Sequence, residues 1–188
     1  LQQNAENTSS DTRQQISGKV SVADVYVKTT ADPLAEGAGD TDIATMEVIA
    51  RISSGSLNVQ QGDISYYISC KVTLVDEAGD PTYAVVDSGD ATAVNLDGSA
   101  IAAGTELTAG TTFKFEIDLN PTDVADTAGT GAADNDLDAG DFLSATTPGC
   151  DCEAGAGQEL ELRVVVDGGG ETLANLKIES ITLGKSIM

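Results

Sequence analysis

The chain has 188 residues, with 9 Lys and Arg against 31 Asp and Glu, so its formal net charge at pH 7 is −22. Binders of nucleic-acid phosphates and of anionic lipid headgroups need clustered basic residues, and this charge excludes both partners. The sequence has no histidine, which excludes histidine triads, histidine-ligated zinc and histidine acid–base catalysis. Aromatic residues are only 4% of the chain, and enzyme pockets usually have aromatic walls. We therefore expect a protein that is not an enzyme.

The N-terminal segment differs from everything that follows it. Residues 1–15 (LQQNAENTSSDTRQQ) are polar and helix-compatible but lack an apolar stripe, so this segment alone buries no face. From residue 16 the pattern has the period of two that is typical of strands. Val20 and Val22 share one parity and Val25 and Val27 the other, which predicts one strand with a bulge between the pairs. Residues 16–188 are thus predicted to be a single head domain.

Alternating segments separated by turn residues continue to the end of the chain. They are residues 43–54, 64–75, 82–87, 106–120, 159–170 and 171–188. Asp97-Gly98 and Asn120-Pro121 are strong turn signals. Phe113, Phe115 and Ile117 share one face of their segment. This spacing predicts an all-β fold, an immunoglobulin-like β-sandwich or barrel of about seven to eight strands.

The first residues, LQQNAENTSSDTRQQISGKVSVADVYV, resemble archaellin, the archaeal flagellin, where its N-terminal helix passes into a globular head. Residues 1–3 correspond to the end of that helix, residues 5–15 to the linker, and residues 16–20 to the start of the head. Residues 43–68 resemble the family's pair of strands around a short glycine-bearing segment, and residues 106–119 resemble a later strand. Archaeal type IV pilins have the same plan.

This resemblance implies a structural subunit of an extracellular archaeal filament, an archaellum or a type IV pilus, that serves motility or adhesion. It implies self-association into a helical filament through an apolar helix that is missing from this sequence, with the head domain as the outer surface. We expect the chain to be a soluble piece of such a subunit, without membrane contact of its own. The alternative is a secreted, calcium-stabilised β-sandwich binding module, such as an adhesin or a surface-layer domain.

An acidic stretch near residue 138 is a candidate metal site. Asp134, Asp136, Asp138 and Asp141 place carboxylates at nearly alternate positions beside a glycine, and calcium prefers six to eight oxygen ligands. The pattern departs from the EF-hand loop, because the glycine stands one place late and the twelfth place is not Glu. A solvated acidic loop is the other interpretation.

The three cysteines predict a disulfide if the protein is extracellular. Cys70 lies in the strongest predicted strand, and Cys150 and Cys152 flank one residue. A bridge from Cys70 to either of the later pair is favoured; a bond between Cys150 and Cys152 is awkward, and three reduced thiols are the remaining alternative. The third thiol would be free or would link subunits.

One glycosylation sequon is present, Asn7-Thr8-Ser9. Filament subunits that the chain resembles are often N-glycosylated, so Asn7 is a candidate acceptor.

Overall fold

The computed structural model describes residues 18–33, 39–73, 82–102, 104–122 and 149–188. This part of the chain is all-β, as the sequence predicted, and no helix in it is long and apolar enough to cross a membrane. Its nine strands are β1 (Val20–Ala31), β2 (Asp42–Ile52), β3 (Val59–Gln60), β4 (Ile64–Thr73), β5 (Thr82–Asp90), β6 (Glu106–Leu107), β7 (Thr112–Asp118), β8 (Glu159–Val166) and β9 (Glu171–Lys177). The predicted segment 1–15 lies outside the described residues.

Two antiparallel sheets form the sandwich. One has the strand order β1-β2-β7 and the other the order β5-β4-β8-β9, while β3 and β6 pair as a separate ribbon. Alternate side chains of both sheets point inward, so Phe113, Phe115 and Ile117 are fully buried on one face of β7, as predicted. The rings of Tyr66 and Phe115 stack with their centroids 6.3 Å apart and join the two inner faces. The core is thus built from aliphatic side chains around a few aromatic rings.

The bulge predicted in β1 is present. Val22 pairs with Ala50 and Asp24 pairs with Ile49, so two residues of β1 advance while β2 advances by one. An extra residue reverses the parity of the side chains that follow it. Val25 is therefore fully buried on the same inner face as Val20, which is 1% exposed.

The segment 106–120 was predicted as one strand, and this was wrong. A turn interrupts it, in which the Thr111 N–H donates to the Thr108 carbonyl at 3.0 Å. Gly110 has φ +84°, and its N–H donates to the Ile52 carbonyl at 2.9 Å. Because glycine adopts this left-handed conformation without a Cβ clash, the chain separates into β6 and β7 here.

The C-terminal residues also differ from the strand predicted over 171–188. After β9 the chain leaves its sheet and runs along the free side of β1. The Ile187 N–H donates to the Val25 carbonyl at 3.0 Å, and the Ile187 carbonyl accepts from the Lys177 N–H at 2.8 Å. Ile187 is 1% exposed. The tail therefore covers the edge of one sheet and ties it to the other.

The sandwich has two distinct ends. At the proximal end, where residue 18 leads into β1, the Gly18 carbonyl accepts from the Gly170 N–H at 3.0 Å. β1 and β7 both pair antiparallel with β2, so they run in the same direction and β7 finishes at the opposite, distal end. The chain after β7 reaches Thr122 there and returns at Gly149, whose N–H donates to the Pro121 carbonyl at 3.0 Å.

Candidate functional site

A disulfide closes the distal end. Cys70 of β4 is bonded to Cys150, with an S–S distance of 2.06 Å and a Cα–Cα distance of 6.0 Å across 80 residues of chain. This is one of the two Cys70 pairings that the sequence left open. It attaches the chain that follows the acidic segment 123–148 directly to the central part of the four-stranded sheet.

Cys152 is the third thiol, and it is buried with 4% of its surface exposed. Its backbone N–H donates to the Thr122 hydroxyl at 3.2 Å. Burial, together with the neighbouring charge of Asp151, raises the pKa of the Cys152 thiol well above its ordinary value. The nucleophilic and linking species is the thiolate, so this buried, protonated side chain is unsuited to a link between subunits, which the sequence had left as an option.

Asp87 of β5 binds the chain that leaves β7 at the distal end. Its carboxylate, 1% exposed, accepts hydrogen bonds from the Asn120 backbone N–H and the Asn120 side-chain amide, both at 2.6 Å. Burial raises the pKa of Asp87, although the two bonds from Asn120 act in the opposite direction. Asn120 lies two residues after the end of β7, so this contact fixes the start of the segment that leads to residue 123.

The two flanks of the acidic segment are also tied to each other. The Thr122 N–H donates to the Asp151 carboxylate at 2.5 Å, and the Asp151 N–H donates to the Asn120 carbonyl at 3.3 Å. Gly149 lies so close to the facing backbone that a Cβ there would stand 1.8 Å from the Asn120 carbonyl oxygen. Only glycine fits this approach. We name this arrangement of Cys70, Asp87, Asn120, Thr122, Gly149, Cys150 and Asp151 the distal clamp.

Asp42 lies beside the clamp in an energetically unfavourable position. It is 2% exposed, and its Oδ2 accepts from the Thr41 hydroxyl at 2.7 Å. Its Oδ1 is buried and has no hydrogen-bond partner within the described part of the chain. Burial, with a contribution from the charge of Asp151, raises the pKa of Asp42 from 3.8 to about 6. A Cβ on Gly155 would lie 2.9 Å from that Oδ1.

The clamp suits a structural task. Within the described residues, no three cysteine or acidic side chains are grouped so that they could hold a metal ion. What the arrangement does is hold both flanks of the segment 123–148 in a defined position at one end of the sandwich.

The other sequence-predicted residues have a different outcome. Asp134, Asp136, Asp138 and Asp141 lie outside the described residues, as does Asn7, so the calcium site and the glycan stay predictions. Sequence reasoning missed Asp42, Asp87 and Asp151. The only available signal for the clamp was indirect: turn residues at Asn120-Pro121 and at Pro148-Gly149, directly before Cys150.

Among solved structures, the chain is similar over 100% of its length to the archaeal flagellum of Methanospirillum hungatei strain JF1. The match covers 80% of that chain, with 15% sequence identity and a TM-score of 0.49. No protein-family model and no curated protein matches the sequence.

Proposed function

We propose that the chain is the outer, head part of a structural subunit of an extracellular archaeal filament, an archaellum or a type IV pilus. The observation that carries the proposal is the polarity of the sandwich. The segment that resembles the archaellin linker precedes β1, which begins at the proximal end. The acidic segment is attached through its two flanks at the distal end. This polarity is compatible with a head whose proximal end lies towards a filament axis and whose distal end lies towards the medium.

The distribution of charge fits this orientation. The residues between Thr122 and Gly149 include six Asp and neither Lys nor Arg. Acidic side chains are stable where water and salt solvate and screen them. With the distal end outward, both described flanks of this segment, Thr122 and Gly149, lie on the side of the medium and not in the crowded interior of a helical assembly.

The disulfide also fits an extracellular location. Disulfides form and persist in oxidising compartments, and one that closes a long loop stabilises a domain that is exposed outside the cell. The Cys70–Cys150 bond spans 80 residues and includes the acidic segment in its loop.

The experiment is to shear surface filaments from cells that produce this chain and to identify their protein by mass spectrometry. We expect this chain as a main component. Deletion of its gene then separates the two finer roles: loss of swimming supports an archaellum, and loss of attachment with swimming retained supports an adhesive pilus. Filaments that lack the chain would refute the proposal.

The second candidate is a secreted, calcium-stabilised binding module. It is supported by the near-alternate carboxylates of Asp134, Asp136, Asp138 and Asp141. The same preparation distinguishes the candidates, because a secreted module is recovered from the medium as free protein and is absent from the sheared filaments.

A further inference from the structure

The outer face of the four-stranded sheet carries far less net charge than the chain as a whole. The outer side chains of β5-β4-β8-β9 include three basic residues, Lys71, Arg163 and Lys177, and four acidic ones, Asp90, Glu159, Glu161 and Glu171, a net charge of −1. We name this surface the β4 face. The whole chain has a charge of −22. Two copies therefore repel each other less where the β4 face is the contact than their total charge alone implies.

Exposed apolar side chains distinguish the β4 face from the opposite one. Tyr67, Val86 and Leu173 are 39%, 51% and 54% exposed on it. Tyr67 pairs with Arg163, and Arg163 pairs with Leu173, so these three side chains form one row across the sheet. Among the described residues, none of the large exposed apolar side chains belongs to β1, β2 or β7. Tyr and Arg beside apolar groups are the residues that most often dominate protein interfaces.

The basic side chains of the two faces also differ in how closely they are paired with acidic ones. On the opposite face, Lys28 is paired with Glu116, and Lys114 lies 3.0 Å from Glu47. On the β4 face, Arg163 lies only within 3.9 Å of Glu161 and 3.8 Å of Glu171. Lys71 and Lys177 form no ion pair with another described residue. This face thus presents two lysines without an ion pair among the described residues, and an arginine whose two ion pairs are both long.

From these observations we infer that the β4 face is a contact surface for a second copy of this chain. Resting on the proposed function, the inference names which side of the head meets a neighbour in the filament. The neighbour's acidic side chains complement Lys71, Arg163 and Lys177, while Tyr67 and Leu173 lose contact with water. Salt screens the long-range repulsion between two copies of charge −22 more than it weakens the close, partly buried ion pairs at the contact, so it strengthens the contact.

The test is sedimentation equilibrium of the 188-residue chain over a range of concentration and salt, with two pairs of matched variants. Arg163→Glu and Leu173→Gln alter the β4 face. Arg51→Glu makes the same charge change on the opposite face, and Leu96→Gln removes a leucine that is equally exposed, at 53%, outside both faces. We expect self-association that increases with salt, weakened about tenfold by each β4-face variant and unchanged in the two controls. Thermal unfolding of each variant verifies that it is folded.

Two results would overturn the inference: a chain that stays monomeric at millimolar concentration in high salt, or β4-face variants that associate like their controls. Its failure is distinct from failure of the proposed function. If sheared filaments contain the chain and filaments of Arg163→Glu and Leu173→Gln form normally, only the contact surface is wrong. If the filaments lack the chain, the proposed function fails whatever its association in solution.

Discussion

The buried carboxylate of Asp87 accepts two hydrogen bonds from a single residue, Asn120, through its backbone N–H and its side-chain amide, each at 2.6 Å. This contact joins β5 of one sheet to the chain just after β7 of the other. It lies at the point from which the acidic segment departs. The stability of the distal end therefore depends on a polar contact in addition to the apolar core.

Replacing Asp87 with Ala is expected to destabilise the fold by about 2 kcal/mol, because both donors of Asn120 lose their acceptor and at least one stays partly buried. The matched control is Asp90→Ala, which removes an exposed carboxylate from the same strand. Urea unfolding of the two variants measures the difference. Equal stability of the two variants would show that the contact contributes nothing.

The pairing of the cysteines gives the second prediction. Reduction, or Cys150→Ala, should lower the free energy of unfolding by about 4 kcal/mol, because the bond restricts a long loop in the unfolded chain. Cys152→Ala should leave the disulfide intact. In the oxidised protein we expect one thiol per chain, which reacts with a thiol reagent only after denaturation. A peptide map that joins Cys70 to Cys152, or a thiol that reacts in the native protein, would contradict this arrangement.

The pKa of Asp42 leads to a pH dependence with a defined sign. Its folded-state pKa of about 6 is above the ordinary 3.8, so between these values the folded protein binds a proton that the unfolded chain does not. The contribution of Asp42 to stability therefore rises as pH falls from about 7 to about 4. Asp42→Asn should be more stable than the wild type by about 2 kcal/mol near neutrality and equal to it near pH 4.

Asp24 provides a control of opposite sign for that experiment. Burial acts to raise its pKa, but hydrogen bonds from Ser186, Tyr26 and the Val25 N–H outweigh burial and lower it. A carboxylate whose pKa is lowered in the folded state stabilises the protein at pH values above its ordinary pKa. This stabilisation is lost as the pH falls. Asp24→Asn should therefore destabilise the protein near neutrality and have a diminishing effect in acid.

Parallel stability–pH curves for the wild type and Asp42→Asn would refute the role given to Asp42.

The calcium prediction is tested by thermal unfolding at millimolar calcium. If Asp134, Asp136, Asp138 and Asp141 bind the ion, calcium should raise the melting temperature, because a ligand that binds only the folded state stabilises it. The double variant Asp136→Asn/Asp138→Asn should abolish the rise. Asp123→Asn/Asp126→Asn, which removes the same charge from the same segment, should retain it. An identical response of the two double variants would favour plain acidic solvation.

The predictable parts of the fold are those that depend on the alternation of apolar and polar residues within one segment. Val20, Val25 and the residues between them carry both the strand and its bulge, and Phe113 and Phe115 mark a buried face. The turn at Gly110 was missed because the residues around it continue the alternation. The break depends on the conformation of Gly110 and on its bond to Ile52, which the alternation does not encode. A pattern of period two does not record such long-range contacts.

The distal clamp was beyond sequence reasoning for the same reason. Asp87 ends a run that looks like any strand followed by a polar turn, and its partner Asn120 is 33 residues away. Asp151 differs in no local respect from the many other acidic residues of the chain. A cysteine at least has a restricted set of partners, which is why the Cys70 bridge could be narrowed to two pairings and a buried carboxylate could not be assigned at all.

The central claim is that the head stands in a filament with its proximal end towards the axis and its distal clamp towards the medium. Electron cryomicroscopy of filaments sheared from cells that produce this chain measures this orientation directly. The account predicts that Gly18 lies nearest the axis, and that Thr122, Gly149 and the Cys70–Cys150 bond lie at the outer radius. A reversed head, or a filament built without this chain, would contradict it.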